Sequence, residues 1–185
     1  MRIEPLPRET SVAVAEGAGV HRMMGELEVF RVLNHHPRVA KGFHDLLASM
    51  LFDARLDPRV RELVIMRLGW CTGSVYEWTQ HWRIARLLGV CDEDLLAVRG
   101  DWRAHPGFGP AERAALAAVD DVLAHGVVGE RTWSDVVAAF PDPADRIELV
   151  MVIACWRMVA TVLESLQVPL DDGMSPWPPD GRAPR

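Results

Sequence analysis

Four residues of this chain have the types and spacing to move protons: Glu62, Ser74, Glu77 and His81. In Ser74-Val75-Tyr76-Glu77-Trp78-Thr79-Gln80-His81, the following Ile84, Ala85 and Leu88 set a helical period. That period puts His81 on the buried stripe with Glu77 one turn earlier. Glu62 lies twelve residues before Ser74, in Val60-Arg61-Glu62-Leu63-Val64-Ile65-Met66, where its neighbours three and four positions on are Ile65 and Met66. A carboxylate on such a face needs a partner. An imidazole with two carboxylates in reach suits general acid–base catalysis, so His81, Glu77 and Glu62 are the candidate catalytic residues.

The same residues carry a plainer reading. Ser74-x-x-Glu77 after Thr72-Gly73 has the form of a capping box, in which Ser74 accepts from the backbone N–H of Glu77 and Glu77 reaches back to the N–H of Ser74. The two readings are compatible if the cap also aims the carboxylate. Glu77 and His81, four apart, could ligate a metal, as could His35-His36, but neither pair has a third ligand nearby in sequence, and no metal is expected. His35-His36 is read as a cluster at a helix C-terminus, interacting with the dipole.

Glu62, an interval of twelve, and then positions 74, 77 and 81 reproduce the Glu…Cys-x-x-Cys-x-x-x-His spacing of the alkylhydroperoxidase AhpD-like superfamily, which includes the carboxymuconolactone decarboxylases. The flanking residues resemble that family too: Phe30-Arg31-Val32-Leu33 with His36-Pro37, Leu56-Asp57-Pro58-Arg59-Val60, Tyr76-Glu77-Trp78, and Leu166-Gln167-Val168. The resemblance covers roughly residues 20 to 170. It implies an all-α helical bundle, a symmetric homo-oligomer (trimer or hexamer) and a small-molecule substrate.

The chain departs from the peroxidase branch where its chemistry resides. Ser74 and Glu77 stand where that branch carries its two redox cysteines, and neither can form a disulfide. Cys71 could be a displaced nucleophile, but it precedes the Gly73 turn and has no resolving cysteine nearby. The decarboxylase branch works without the cysteine pair and is similar to this chain in keeping a Glu four residues before the His. The resemblance therefore implies a cofactor-free carboxy-lyase or isomerase acting on a small organic acid or lactone. Ser74, Tyr76, Trp78, Trp82 and Arg83 are the candidate substrate contacts, with Arg67 and Arg86 as further guanidinium groups able to hold a carboxylate.

Composition narrows the alternatives. With 185 residues and 49% apolar content, the chain can form one domain with a sizeable core. Its net charge of −6 and lack of any Lys/Arg run argue against nucleic acid. The apolar run Leu149–Trp156 is about half a membrane span, and no signal-peptide core follows Met1, so no membrane partner is expected. Three cysteines without metal-type spacing suit reduced thiols in the cytoplasm.

Helices must position the site. Apolar periodicity and Pro/Gly punctuation place them at about 20–34, 38–52, 58–70, 75–89, 92–99, 110–125, 130–140 and 143–167, with no alternating β pattern. Residues 1–19 read as an irregular arm. Residues 169–185, with five prolines, read as a poorly ordered tail. Glu62-Leu63-Val64 with Trp70 echoes Glu148-Leu149-Val150 with Trp156 at an offset of 86, suggesting a degenerate repeat. The second copy lacks a following turn and His, so Glu148 is read as structural. Most of the seven tryptophans are expected to pack in the core, with Trp78 and Trp82 as possible walls of a pocket mouth. A binding or interaction protein on the same scaffold remains the non-enzymatic alternative.

The missing cysteines generate a direct expectation: peroxide is not consumed with a dithiol donor. Turnover abolished by Cys71→Ser would overturn it and make Cys71 a nucleophile.

Overall fold

The structure, a computed structural model, describes residues 1–184; Arg185, the last residue of the expected tail, lies outside them. The described residues form ten α-helices and no strand, an all-α fold. They divide into two compact units. One comprises Met1–Asp53 with Thr161–Ser175, and the other Ala54–Ala160 with the C-terminal segment from Pro176.

The first unit holds α1 (Arg8–Gly17), α2 (Arg22–Glu26), α3 (Glu28–Leu33) and α4 (Pro37–Leu51). The arm expected to be irregular contains α1, entered from Pro7, because Ser11 and Ala15 find burial. Asn34 Nδ2 donates to Ser11 Oγ at 2.9 Å and to Ser11 O at 3.1 Å, satisfying both polar side chains. The helix expected over 20–34 is broken at Leu27, whose ψ of 139° is extended. Gly25 allows the backbone of α1 to approach: a Cβ there would lie 2.8 Å from Val12 Cα. His35 lies just past Asn34, the C-cap of α3. Its Nε2 pairs with the Glu4 carbonyl at 2.8 Å and ties down the arm. Asp171 accepts from the Glu28 N–H at 2.7 Å, capping α3 from far along the chain.

The second unit holds α5 (Pro58–Thr72), α6 (Val75–Leu87), α7 (Asp92–Ala97), a 3₁₀ turn (Trp102–Ala104), α8 (Pro110–His125), α9 (Glu130–Ala139) and most of α10 (Pro143–Leu166). Asp57 caps α5 by accepting from Arg59 N–H at 2.8 Å, and Pro58 occupies the first turn. α5 is buried on nearly every face, and Leu63 and Met66 join Trp78, Trp82, Leu95 and Leu116 in one core. α5 packs most extensively on α6. Gly69 permits this, since a Cβ would stand 3.2 Å from Trp78 N and 3.3 Å from Glu77 Cβ. Gly73, at φ 73°, turns the chain into α6.

α10 is long and apolar enough to cross a membrane by length and composition, more so than the run Leu149–Trp156 suggests. Its buried residues Leu149, Val152, Ile153 and Trp156 nevertheless belong to the core. Glu148 accepts from the N–H groups of Arg55 (2.9 Å) and Leu56 (3.1 Å), a structural use of the carboxylate in the second Glu-Leu-Val.

The tail departs from expectation: it docks. Trp78 Nε1 donates to Pro178 O at 2.8 Å, and Arg99 donates to Pro178 O and to both oxygens of Asp180. The Arg99 guanidinium lies 4.6 Å from the ring centroids of both Trp70 and Trp78. Low-complexity composition predicts few contacts, but Trp177 and Asp180 each find a partner already in place.

Asp94 ties α7 to α5 and to the loop before α8. It accepts from Arg59, from His105 Nε2 at 2.7 Å and from Cys91 Sγ at 3.1 Å. Burial pushes its carboxyl up, but these donors outweigh burial and lower it to about 2. A depressed carboxylate contributes stability above its ordinary range that is lost as pH falls through the folded-state value. Asp94→Asn should therefore cost about 2 kcal/mol at pH 7. The gap to wild type should close between about pH 4 and pH 2 in urea melts. A gap that persists at pH 2 would contradict the ion-pair account.

Candidate functional site

The site is assembled from α5, α6 and α10 within the second unit. Glu62 sits in the middle of α5 with a fully buried side chain, and His81 sits on the inner face of α6. His81 Nδ1 and Glu62 Oε2 are 2.7 Å apart. Arg61 Nε donates to the other oxygen, Oε1, at 3.0 Å, so each carboxylate oxygen has a charged or polar donor. On the far side of the imidazole, Trp156 Nε1 lies 3.2 Å from His81 Nε2.

The tautomer follows from this inventory. An indole N–H can only donate, so Nε2 accepts and Nδ1 carries the proton toward Glu62. Burial pushes the Glu62 carboxyl up, and the His81 ring and the Arg61 guanidinium together outweigh burial, holding it below its ordinary value. Glu62 is therefore an ionised, buried hydrogen-bond acceptor. With both ring nitrogens engaged, His81 offers no lone pair to a metal, and the Glu77/His81 pair does not fit a metal site.

The structure brings together Glu62 and His81, with Glu77 buried one turn before His81 on α6. The capping box does not form. Ser74 is the N-cap residue of α6 and its side chain makes no cap bond, while its N–H donates to Gly69 O at 2.9 Å. The Schellman-like exit of α5 at Gly73 thus takes the N–H that Glu77 would have capped. Ser74 Oγ is buried and has no hydrogen-bond partner among the described residues. Tyr76 is buried on the same helix.

Other expected contacts fall elsewhere. Trp78 and Trp82 are core residues rather than a pocket mouth: Trp78 is enclosed by Trp70, Trp82 and Trp177, at centroid distances of 5.1, 5.8 and 6.3 Å. Arg83, two residues past His81, is exposed and lies about 200° round the helix from it. Arg67 is paired with Asp120 at 2.8 Å and Arg86 with Asp92 at 2.9 Å. Surrounding protein pushes the Cys71 thiol up, away from the thiolate a nucleophile needs.

Arg61 and Trp156 are the residues that the spacing of the motif did not reveal. Arg61 adjoins Glu62, where a helical period points it away from its neighbour, yet its long side chain bends back. Trp156 had one signal, its place in the echo of Trp70, but nothing in sequence distance joins it to His81. We expect the His81 ring to show the Nδ1–H tautomer in ¹⁵N spectra at neutral pH and to lose that single form in Trp156→Phe. An Nε2–H tautomer in the unaltered protein would contradict the assignment.

The sequence profile of the carboxymuconolactone decarboxylase family matches residues 37–121, a span that contains Glu62, Ser74, Glu77 and His81. No functionally curated protein matches the chain significantly in sequence. Among solved structures, the fold is similar to an alanine-for-cysteine variant of the debrominase Bmp8 in complex with 2,3,4-tribromopyrrole. The TM-score is 0.73 at 18% identity, over 93% of this chain and 92% of that one. It is also similar to the alkylhydroperoxidase AhpD core of an uncharacterised peroxidase-related protein from Ralstonia eutropha JMP134 (TM-score 0.70, 18% identity, 90% of this chain and 87% of that one). A peroxidase-related protein from Silicibacter sp. TM1040 matches 96% of this chain and 90% of its own, with TM-score 0.70 and 15% identity. The motif, the helical fold and the profile converge on one likeness: over residues 37–121 the chain is similar to the carboxymuconolactone decarboxylase family, and its fold is similar to that of AhpD-like proteins.

Proposed function

We propose that the chain is an acid–base enzyme of the carboxymuconolactone decarboxylase type, acting on a small organic acid or lactone by decarboxylation or isomerisation. The observation that carries this reading is the buried Glu62–His81 pair, 2.7 Å apart, which holds Nδ1–H and leaves Nε2 as the basic atom of the ring. Loss of CO₂ from a vinylogous acid leaves its electron pair as a dienolate, which then takes a proton on carbon. His81 serves as the proton carrier, Glu62 orients and charge-balances it, and Glu77 supplies the second carboxylate one turn away. In the resting arrangement Nε2 accepts from Trp156, and protonation there would set two N–H donors against each other. The indole must therefore give way when the ring takes up a proton. All the groups invoked are side chains of this chain, and the proposal needs no cofactor.

A non-catalytic scaffold is the second reading, favoured by the full engagement of both His81 nitrogens and the ring's 10% side-chain exposure. A thiol peroxidase is disfavoured by Ser74 and Glu77. Assembly into a homo-oligomer, a trimer or hexamer by family resemblance, is part of the proposal. An exposed stripe of Ile147, Val150, Met151 and Met158 along α10 supports it. A cytoplasmic setting suits the three free cysteines.

The test is a panel of β,γ-unsaturated acids and lactones, read by CO₂ release and by deuterium uptake from solvent. His81→Ala and Glu77→Gln should each lower turnover by about 10²-fold or more with helical content unchanged. Full activity in His81→Ala would sink the acid–base assignment. No exchange on any member, with unaltered stability in Glu77→Gln, would favour the scaffold.

A further inference from the structure

The second unit contains a cleft of about 730 Å³ between the 3₁₀ turn, α8 and α9, a volume in the range of small-molecule sites. Neither His81, Glu62, Glu77 nor Trp156 lines it, so the inference does not depend on the proton chemistry proposed there. Its apolar walls come from Trp102 and Phe108, with Ala114, Ala117 and Ala138 leaving room where larger side chains would fill the space.

Three guanidinium groups, of Arg103, Arg113 and Arg131, face the cleft against one carboxylate, Asp135, in a chain whose net charge is −6. Their states differ. Arg113 spends its donors on backbone carbonyls, Phe108 O at 2.9 Å and His105 O at 2.8 Å with Arg103 O, and has no carboxylate to balance its charge. Arg103 sits over the Trp102 ring with its Cζ 4.2 Å from the centroid, and its Nη1 is 3.3 Å from Asp120, an acid already held by Arg67. Arg131 has neither hydrogen bond nor ion pair among the described residues. The cleft thus combines an apolar floor with fixed, under-compensated positive charge and one guanidinium free to close a fork on a ligand.

We propose that this cleft binds a small organic anion with an apolar body, of the class of aryl or branched aliphatic monocarboxylates. The ring or branched body lies on the alanine floor beside Phe108, and the carboxylate meets Arg131 near the uncompensated charge of Arg113. An apolar body alone would not need the arginines, and inorganic phosphate alone would not use the floor.

Calorimetry on the full chain at low salt tests this, with benzoate as probe and benzamide and inorganic phosphate as controls. Benzoate should bind at least about tenfold more tightly than either control, and Arg131→Gln should weaken it about tenfold, the loss of one charge-assisted contact. Ala138→Trp, which places an indole in the cleft from an exposed position, should abolish binding, whereas His81→Ala should leave it unchanged. Absence of benzoate binding up to about 20 mM would overturn the proposal, because a weaker contact would not exceed nonspecific association. Equal affinity for benzamide or phosphate would also overturn it. So would binding that survives both Arg131→Gln and Ala138→Trp, or that disappears in His81→Ala.

Discussion

A carboxylate with no exposed surface constrains everything around it. Glu62 is in the middle of α5, where seven successive residues from Val60 to Met66 are buried, and an ionised group there is tolerated only if each oxygen meets a donor. Arg61 answers one oxygen and His81 the other. The requirement passes outward: the imidazole that donates from Nδ1 must find a donor for Nε2, and α10 provides it in Trp156. Three helices are thereby keyed to one another by a chain of polar contacts in which removal of any member strands a buried group. Breaking such a pair typically costs several kcal/mol, more than its formation contributes.

That chain is helped by the close approach of α5 to α6 at Gly69. Gly69 removes the side chain that would hold them apart, and Gly73 turns the backbone in the left-handed region. The same turn decides the fate of Ser74. The N–H that a capping glutamate would have taken is bonded to Gly69 O, so the serine keeps its place at the helix start without acting as a cap by its side chain. Ser74 and Glu77 are both buried behind this turn. Neither side chain can form a disulfide.

The aromatic residues next to this turn illustrate a different economy. Trp70 and Trp78 flank the Arg99 guanidinium and pack on Trp177, and the indole N–H of Trp78 is satisfied by the Pro178 carbonyl. The tail closes a surface that α6 and the end of α5 would otherwise leave open. What reads as a pocket wall in the sequence is thus a covered core.

The helical period, the proline and glycine punctuation and the Glu62–Ser74–Glu77–His81 spacing were legible in the chain itself. They depend on local backbone sterics and on which face of a helix a side chain occupies. The boundaries of α5, α8, α9 and α10 follow from Pro58, Pro110, Gly129 and Pro143, residues whose effect needs no partner from elsewhere. Other features required the fold. α1 forms because Asn34 and Ser11 satisfy each other, the helix over 20–34 breaks where α2 presses on α1, and the tail is ordered by Trp78 and Arg99. Trp156, 75 residues from His81, carries no local mark of its role. Local sequence can specify a donor and the face it occupies; which acceptor it meets is decided by packing between helices, where separation along the chain carries no distance information.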